Sequence, residues 1–277
     1  QTYYQDQWVS SFLDHEPEKR KEAAINIVRT FGYKVDSLDI NTSNKRWEIV
    51  DNKLVPPLTT IKGLGEAAID EIMYKRPFSS VEDLLFDKGV VARKVNKKSL
   101  DAMCRAGAME SLMDERFFGS KHFWSAVVVD KPKNKKKLGE NIEKYKDEGN
   151  FSKGEQINHL QALTGIYPIN MVVPVKAYKF FEMQGIMPLS EYDRELGKGW
   201  CIPTEVNLKK TKTGKPYYQV TVIDSSMETQ RINCWGVDPK RDFIYPHKLY
   251  VLEWPQYNET WGFSTRGGLS RNWKLLG

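Results

Sequence analysis

The chain has 277 residues, 40% hydrophobic and 28% charged, which fits about two folded domains and excludes a largely disordered protein. Net charge is +6, a mild basic excess that suits a nucleic-acid partner. Three scattered cysteines (Cys104, Cys201, Cys234) and four scattered histidines (His15, His122, His159, His247) exclude a zinc knuckle and argue for a reducing compartment. No apolar run reaches the length of a membrane span and no signal peptide opens the chain, so a cytoplasmic protein without a membrane partner is expected. The first residue is Gln1, not Met. That start predicts a processed, split or truncated chain with an upstream partner.

In chain order, Tyr3, Tyr4, Trp8, Phe12 and Leu13 are spaced as on one helix face. A second helix is predicted from Pro17 to about Phe31, with Ala24, Ile27, Val28 and Phe31 as its buried stripe and Gly32 as its stop. Trp47–Val50 and Leu54–Val55 read as extended pieces about a turn at Asp51-Asn52-Lys53, ended by Pro56 and Pro57.

Thr60 to Asp70 (Thr-Ile-Lys-Gly-Leu-Gly-Glu-Ala-Ala-Ile-Asp) is the stretch around which the rest is organised. A Gly-x-Gly turn opens directly into a helix predicted over Glu66–Arg76, with Ala68, Ile69, Ile72 and Met73 facing inward and Pro77 ending it. Both glycines are read as taking backbone angles closed to other residues, and both let another molecule approach the main chain. The helix start adds unpaired N–H groups and a positive dipole end, so a phosphate fits without any charged side chain. The pattern predicts a helix-hairpin-helix that clamps a nucleic-acid backbone through the N–H groups of Gly63, Leu64 and Gly65, with Glu66 opening the helix and Lys62 and Lys97 adding charge. Such contacts fix position and read no base.

Ser79–Leu85 reads as a capped helix, and Val95–Met109 as a helix ending in a glycine turn that completes a second, degenerate hairpin motif. Five lysines over residues 131–137 read first as a solvated loop, with a phosphate-contacting arm as the sharper alternative. Residues 139–154 are treated as linker or exposed helix, and 155–188 as bridging helices.

From Trp200 the pattern becomes strands. A basic hairpin tip (Lys209, Lys210, Lys212, Lys215, with Gly214) precedes two alternating runs. Tyr218, Val220, Val222, Ile232 and Cys234 face in; Tyr217, Gln219, Thr221, Arg231, Asn233 and Trp235 face out. Short strands with polar turns predict a small closed or nearly closed barrel. Its outward aromatic, amide and basic residues have the make-up of a face that binds single-stranded nucleic acid.

Paired carboxylates for two metal ions are missing: there is no Asp-x-Asp, and Glu191-Tyr192-Asp193 sits in no apolar strand. Nor is there a Walker loop or a nucleophile elbow. The fold class expected is therefore multi-domain α+β, with a mostly helical N-terminal half and a C-terminal small β-barrel.

These residues, in order, resemble the C-terminal portion of the bacterial family C replicative DNA polymerases, the DNA polymerase III alpha subunits. Gln1–Tyr4 looks like that family's Tyr-Gln-Thr-Ala-Tyr, and Val35–Asn41 like its Val-Leu-Pro-Pro-Asp-Val-Asn. Leu58–Ala68 looks like its Leu-Gly-Ala-Ile-Lys-Gly-Val-Gly-Glu-Ala-Ala. Lys94–Ala108 resembles its Lys-Val-Asn-Lys-Arg to Lys-Ala-Gly-Ala run, and Lys212–Val222 its Lys-Lys-Gly-Lys-Pro-Met-Ala-Phe-Val-Thr. The resemblance implies a tail of the polymerase fingers over 1–55, tandem helix-hairpin-helix motifs over 56–115, linker and bridging helices over 116–198, and an OB-fold over 199–277. It further implies a catalytic palm with Mg2+ on another chain or segment and a sliding clamp as a possible partner, with Gln156–Leu160 as a loose candidate peptide. A free-standing helix-hairpin-helix/OB-fold accessory protein is the alternative. A glycosylase, with Asp70 or Asp101 as its acid, is a third reading.

Overall fold

In the computed structural model, which describes residues 4–276, two helices come first, α1 (Gln5–His15) and α2 (Glu18–Thr30). Pro17 precedes α2 in an extended conformation, and Gly32, at φ +92°, lets the chain leave it. The phase of both helices differs from the spacing argument. Val9 and Leu13 are the buried residues of α1, while Tyr4 and Trp8 are exposed and Trp8 stacks on Phe12. Tyr3 lies outside the described residues. On α2, Ala24, Ile25 and Val28 are buried, and Ile27 and Phe31 are about half exposed. A helix stripe more than 100° wide admits either neighbour, so the tertiary partner decides. Here the partner is a small sheet. Its strands are β1 (Lys34–Val35), β2 (Glu48–Val50) and β3 (Lys53–Val55), in the order β1-β3-β2. Asp51 and Asn52 both have positive φ, as a tight turn between antiparallel strands requires. Val9, Leu13, Ile25, Val28, Trp47 and Leu54 close one core, each large aliphatic contributing roughly 1.5–3 kcal/mol by burial.

The second core begins at Leu38 and is built on α3 (Glu66–Lys75) and α4 (Lys97–Arg105). Ala68, Ile69 and Ile72 of α3 pack inward as predicted, joined by the carboxylate Glu71. Residues 81–87 form a helical turn, widened to π geometry over Asp83–Asp87, and Ser80 Oγ accepts from Asp83 N–H at 3.2 Å, as a cap does. Asn96 caps α4 by accepting from Ser99 N–H at 3.1 Å, and Gly107, at φ +78°, follows it. Three further helices complete this unit: α5 (Ser120–Trp124), α6 (Lys135–Lys144) and α7 (Lys153–Thr164). The segment read as linker or exposed helix thus contains the end of α6 and the start of α7. Asn134 caps α6, and Ser152 with Glu155 forms a reciprocal capping box on α7.

The chain divides into two units after Tyr167. The second holds α8 (Ile169–Val172), α9 (Val175–Gln184), β4 (Met187–Pro188), β5 (Lys198–Lys210), β6 (Pro216–Ile223) and β7 (Gln230–Trp235). It continues with β8 (Leu249–Glu253), β9 (Gln256–Asn258), β10 (Gly262–Arg266), α10 (Leu269–Asn272) and β11 (Trp273–Leu276). The sheet order is β11-β8-β5-β6-β7-β10-β9, with β4 beside β5 and the β7–β10 pair parallel. β5 serves two neighbours: Lys198–Cys201 pairs with β8, and Ile202–Lys210 with β6. A register shift between Pro203 and Glu205 lies just past that change of partner. A bulge sharpens local twist, and the mixed sheet curls into a half-barrel whose end strands, β11 and β9, do not pair with each other. Its inner face is lined by Tyr218, Val220, Val222, Ile232, Cys234, Tyr250, Leu252 and Phe263. Trp200 of β5 stacks on Phe181 of α9 at 5.3 Å. Among the described residues no helix is long and apolar enough to cross a membrane.

Candidate nucleic-acid interface

The Gly-x-Gly turn is built as a backbone feature. Leu58 and Ile61 are buried, and Lys62 N–H donates to Leu163 C=O at 2.7 Å, which ties the turn to the end of α7. Gly63, at φ +92°, adopts a conformation that L side chains rarely take, and a methyl group there would sit 3.3 Å from Lys98 Cε. Gly65 is different. Its φ of −76° and ψ of 158° are open to any residue, and a methyl group there would have no protein atom within 4 Å. So Gly63 answers a demand of the backbone, whereas at Gly65, the N-cap of α3, neither backbone angle nor space requires glycine. Leu64 N–H donates to Ile61 C=O at 3.1 Å and is occupied. Among the described residues, the N–H groups of Gly63 and Gly65 have no such partner. Glu66 starts α3 with a largely exposed side chain, and the first N–H groups of that helix point out of its end.

The charges about the turn are redistributed relative to expectation. Lys97 Nζ donates to Val129 C=O at 2.9 Å, so its ammonium is directed to the protein. Its neighbour Lys98 is exposed and lies against Gly63. Lys62 lines a cleft whose wall also carries Asp14, Glu16 and Lys21. Lys45, far away in sequence, pairs with Asp70 at 2.5 Å and approaches Glu66 at 3.8 Å, so its charge offsets the acids at the start of α3. The hydrogen bond to Asp70 holds the Lys45 ammonium above its ordinary pKa.

Behind the turn, Glu71 accepts from Lys94 Nζ at 2.7 Å and from Val91 N–H at 3.1 Å. The Lys94 hydrogen bond, then the Val91 one, lower its pKa below the usual carboxyl value. This link fastens α3 to the loop that precedes α4. An inward carboxylate breaks the apolar pattern, which is why periodicity passes over it.

In the half-barrel, pairing across β5, β6, β7 and β10 brings outward residues into rows. Lys209 faces Tyr217, Tyr217 faces Trp235, and Trp235 faces Arg266. The next row is Asn207, Gln219, Asn233 and Ser264, and the third holds Glu205, Thr221 and Arg231. Tyr217 and Trp235 stack with centroids 4.4 Å apart and planes 28° apart. Each ring therefore has one face covered by the other, with Lys209 and Arg266 as the flanking cross-strand neighbours. Lys209 Nζ donates to Gln219 Oε1 at 2.7 Å, and Gln219 Nε2 to Asn233 Oδ1 at 3.4 Å, so the amides are ordered across three strands. The tip is ordered too: Thr211 N–H donates to Lys215 C=O and Gly214 N–H to Thr211 C=O, both at 2.9 Å, with Gly214 at φ +80°. Lys210, Lys212 and Lys215 are exposed and form no ion pair among the described residues. Arg266 joins the row through a parallel pairing about thirty residues from β7, which short-range alternation does not reveal.

Several other features have structural roles. Three of the five lysines in 131–137 are accounted for within the unit. Lys135 pairs with Asp87 at 2.8 Å, Lys137 approaches Glu140 at 3.5 Å, and Lys131 is half-buried, which lowers its pKa. Gln156–Leu160 is helical, Ile157 is buried, and Gln156 Nε2 donates to Phe151 C=O, so no extended apolar peptide is presented there. Asp101 accepts from Arg105 Nε at 3.0 Å and from Trp124 Nε1 at 2.8 Å, and Asp70 is held by Lys45. Of the two candidate acids of the glycosylase reading, Asp101 is thus held among packed side chains and Asp70 in an exposed ion pair. Buried His122 accepts from Phe118 N–H and donates to Ile142 C=O. All three cysteines are buried, and burial pushes their thiols up, Cys234 to about 12, so none is poised as a thiolate. Among the described residues no three His, Cys, Asp or Glu side chains gather to hold a metal. Asp193 Oδ1 instead accepts from Glu195 N–H at 2.7 Å.

Residues 32–117 match the family model for the helix-hairpin-helix motif. The chain is 34% identical over 90 residues to the DNA polymerase III subunit alpha of Pseudomonas fluorescens, covering 32% of this chain and 8% of that protein. Against the subunit of the same name from Thermotoga maritima it is 27% identical over 163 residues, 59% of this chain and 18% of that one. For Borreliella burgdorferi the figures are 32% over 136 residues, 47% and 11%. The chain therefore spans less than a fifth of the length of these relatives. An α+β chain whose residues 32–117 carry a helix-hairpin-helix motif, it is similar to a part of the DNA polymerase III alpha subunit.

Proposed function

We propose that this chain is a DNA-holding portion of a family C-type replicative polymerase, with the catalytic palm and its Mg2+ on another chain or segment. The helix-hairpin-helix grips duplex product through the N–H groups of Gly63 and Gly65 and the start of α3, aided by Lys98. The half-barrel acts as an OB-fold, its Tyr217–Trp235 pair stacking bases of the template strand and its lysine tip and Arg231 holding phosphates. The observation that carries the reading is the row Lys209–Tyr217–Trp235–Arg266: stacked rings flanked by cations on an exposed sheet face. A primed template supplies both substrates, duplex and single strand.

The test is capture of the tagged chain from its host, followed by primer extension. Recovery of a chain with paired Asp residues, and extension by the pair but not by this chain alone, is the expected result. Extension by this chain alone contradicts the reading. DNA binding with no such partner and no extension points to the accessory-protein alternative.

A further inference from the structure

A second concave site opens on the half-barrel. The segment after β4 and strands β7, β9 and β10 enclose a cleft of about 480 Å3. Phe263 forms its floor and is nearly buried. Tyr192 meets it edge-on at 5.7 Å, and Tyr257 leans on it at 5.0 Å. Arg194 and Arg231 stand on the wall, exposed, and form no ion pair among the described residues. The cleft depends on a close backbone approach: Gly262 is at φ +72°, and a methyl group there would lie 3.2 Å from Arg231 C=O. Gln230, also on the wall, has a buried Oε1 with no donor.

Aromatic rings beside two guanidiniums without an ion-pair partner suit a base with its phosphate. Arg231 is shared. It lies in the outward rows of the β5–β6–β7 face and it lines the cleft. A strand crossing that face therefore meets the cleft without leaving the protein surface. We infer that the cleft is a pocket for one nucleotide unit of that single strand, its base against Tyr257 and Phe263 and its phosphate on Arg194 and Arg231. This rests on the single-strand reading of the half-barrel given above.

The experiment uses the full chain and a labelled oligothymidylate, with Tyr257→Ala, Tyr257→Phe and Arg194→Ala compared with a Tyr217→Ala/Trp235→Ala double variant. Tyr257 and Arg194 are exposed, and melting temperatures check the fold. Loss of one base–ring stack predicts about tenfold weaker single-strand binding for Tyr257→Ala, near-native binding for Tyr257→Phe, and unchanged duplex binding. Arg194→Ala should lower the salt slope by about 0.7. Photocrosslinking with 5-iodouracil in the strand should label the peptide carrying Tyr257 or that carrying Tyr192. Unchanged affinity in Tyr257→Ala, with loss in the double variant, overturns the pocket and leaves the face reading intact. Equal loss of duplex binding overturns the pocket as well. Displacement by an acidic aromatic peptide but not by oligonucleotide assigns the cleft to a protein partner and overturns it too. No single-strand binding by the native chain overturns both readings.

Discussion

The turn at residues 61–65 and the outer face of β5, β6 and β7 offer a phosphate-bearing polymer opposite things. The turn offers main chain: free N–H groups at Gly63 and Gly65, with cations at the margin. The sheet face offers side chains: stacked rings, ordered amides and unpaired lysines. Backbone donors suit a stiff duplex, whose phosphates recur at fixed spacing. Stacking suits a strand whose bases are exposed. The comparison teaches that, on the proposed reading, duplex and single-strand binding are to be separated by different substitutions.

The largest effect is expected at the rings. Replacing Tyr217 and Trp235 together with Ala should weaken single-strand binding about a hundredfold at constant salt, with duplex binding held within twofold; competition titrations with both DNAs measure it. Equal loss of duplex binding would merge the two regions into one site. Next is the lysine tip. Changing Lys210, Lys212 and Lys215 to Ala should reduce the slope of log affinity against log salt by about 2 for single strands, read from titrations across salt concentrations. A smaller effect separates adjacent lysines. Lys98→Ala should weaken duplex binding several-fold through one lost phosphate contact, while Lys97→Ala, whose ammonium serves Val129 C=O, should leave it unchanged. The reverse order would restore the pattern expected from spacing alone.

The smallest effect is on stability and not on binding. Glu71 has a lowered pKa, so its carboxylate stabilises the fold at neutral pH, and that contribution disappears as pH falls from the ordinary value of 4.5 through the lowered one. Glu71→Gln should therefore melt below the native chain at pH 7, and the gap should close in acid below pH 4.5. A gap that persists there would mean that packing, and not charge, sets the role of Glu71.

What was legible in the sequence follows the range of the forces involved. The Gly63 turn, the α3 stripe and the alternation of Tyr217 to Trp235 are local, and local patterning reported them. Ile25 in place of Ile27, and Val9 in place of Trp8, depend on which side of a helix meets its partner, a choice that a wide apolar stripe leaves open. Lys45, Lys98 and Arg266 enter their sites through contacts distant along the chain, and Glu71 is buried against type because Lys94 and Val91 satisfy it. At Gly65 the expected special backbone angle is absent, because its φ of −76° is open to any residue. The residue is needed by no backbone angle and by no packing contact; as the N-cap of α3 it stands at the helix start, where, on the proposed reading, a phosphate approaches closely.

Gly65→Ala is therefore the most direct test, because the protein itself has room for the added methyl group. Side by side, duplex and single-strand affinities of this one variant should diverge. A backbone N–H to phosphate bond is worth roughly 1.5–3 kcal/mol, so duplex binding should weaken about tenfold or more, with single-strand affinity unchanged and the melting temperature lowered only slightly, because Ala caps a helix less well than Gly. Native duplex affinity in Gly65→Ala would contradict the claim that this turn is the grip on duplex DNA.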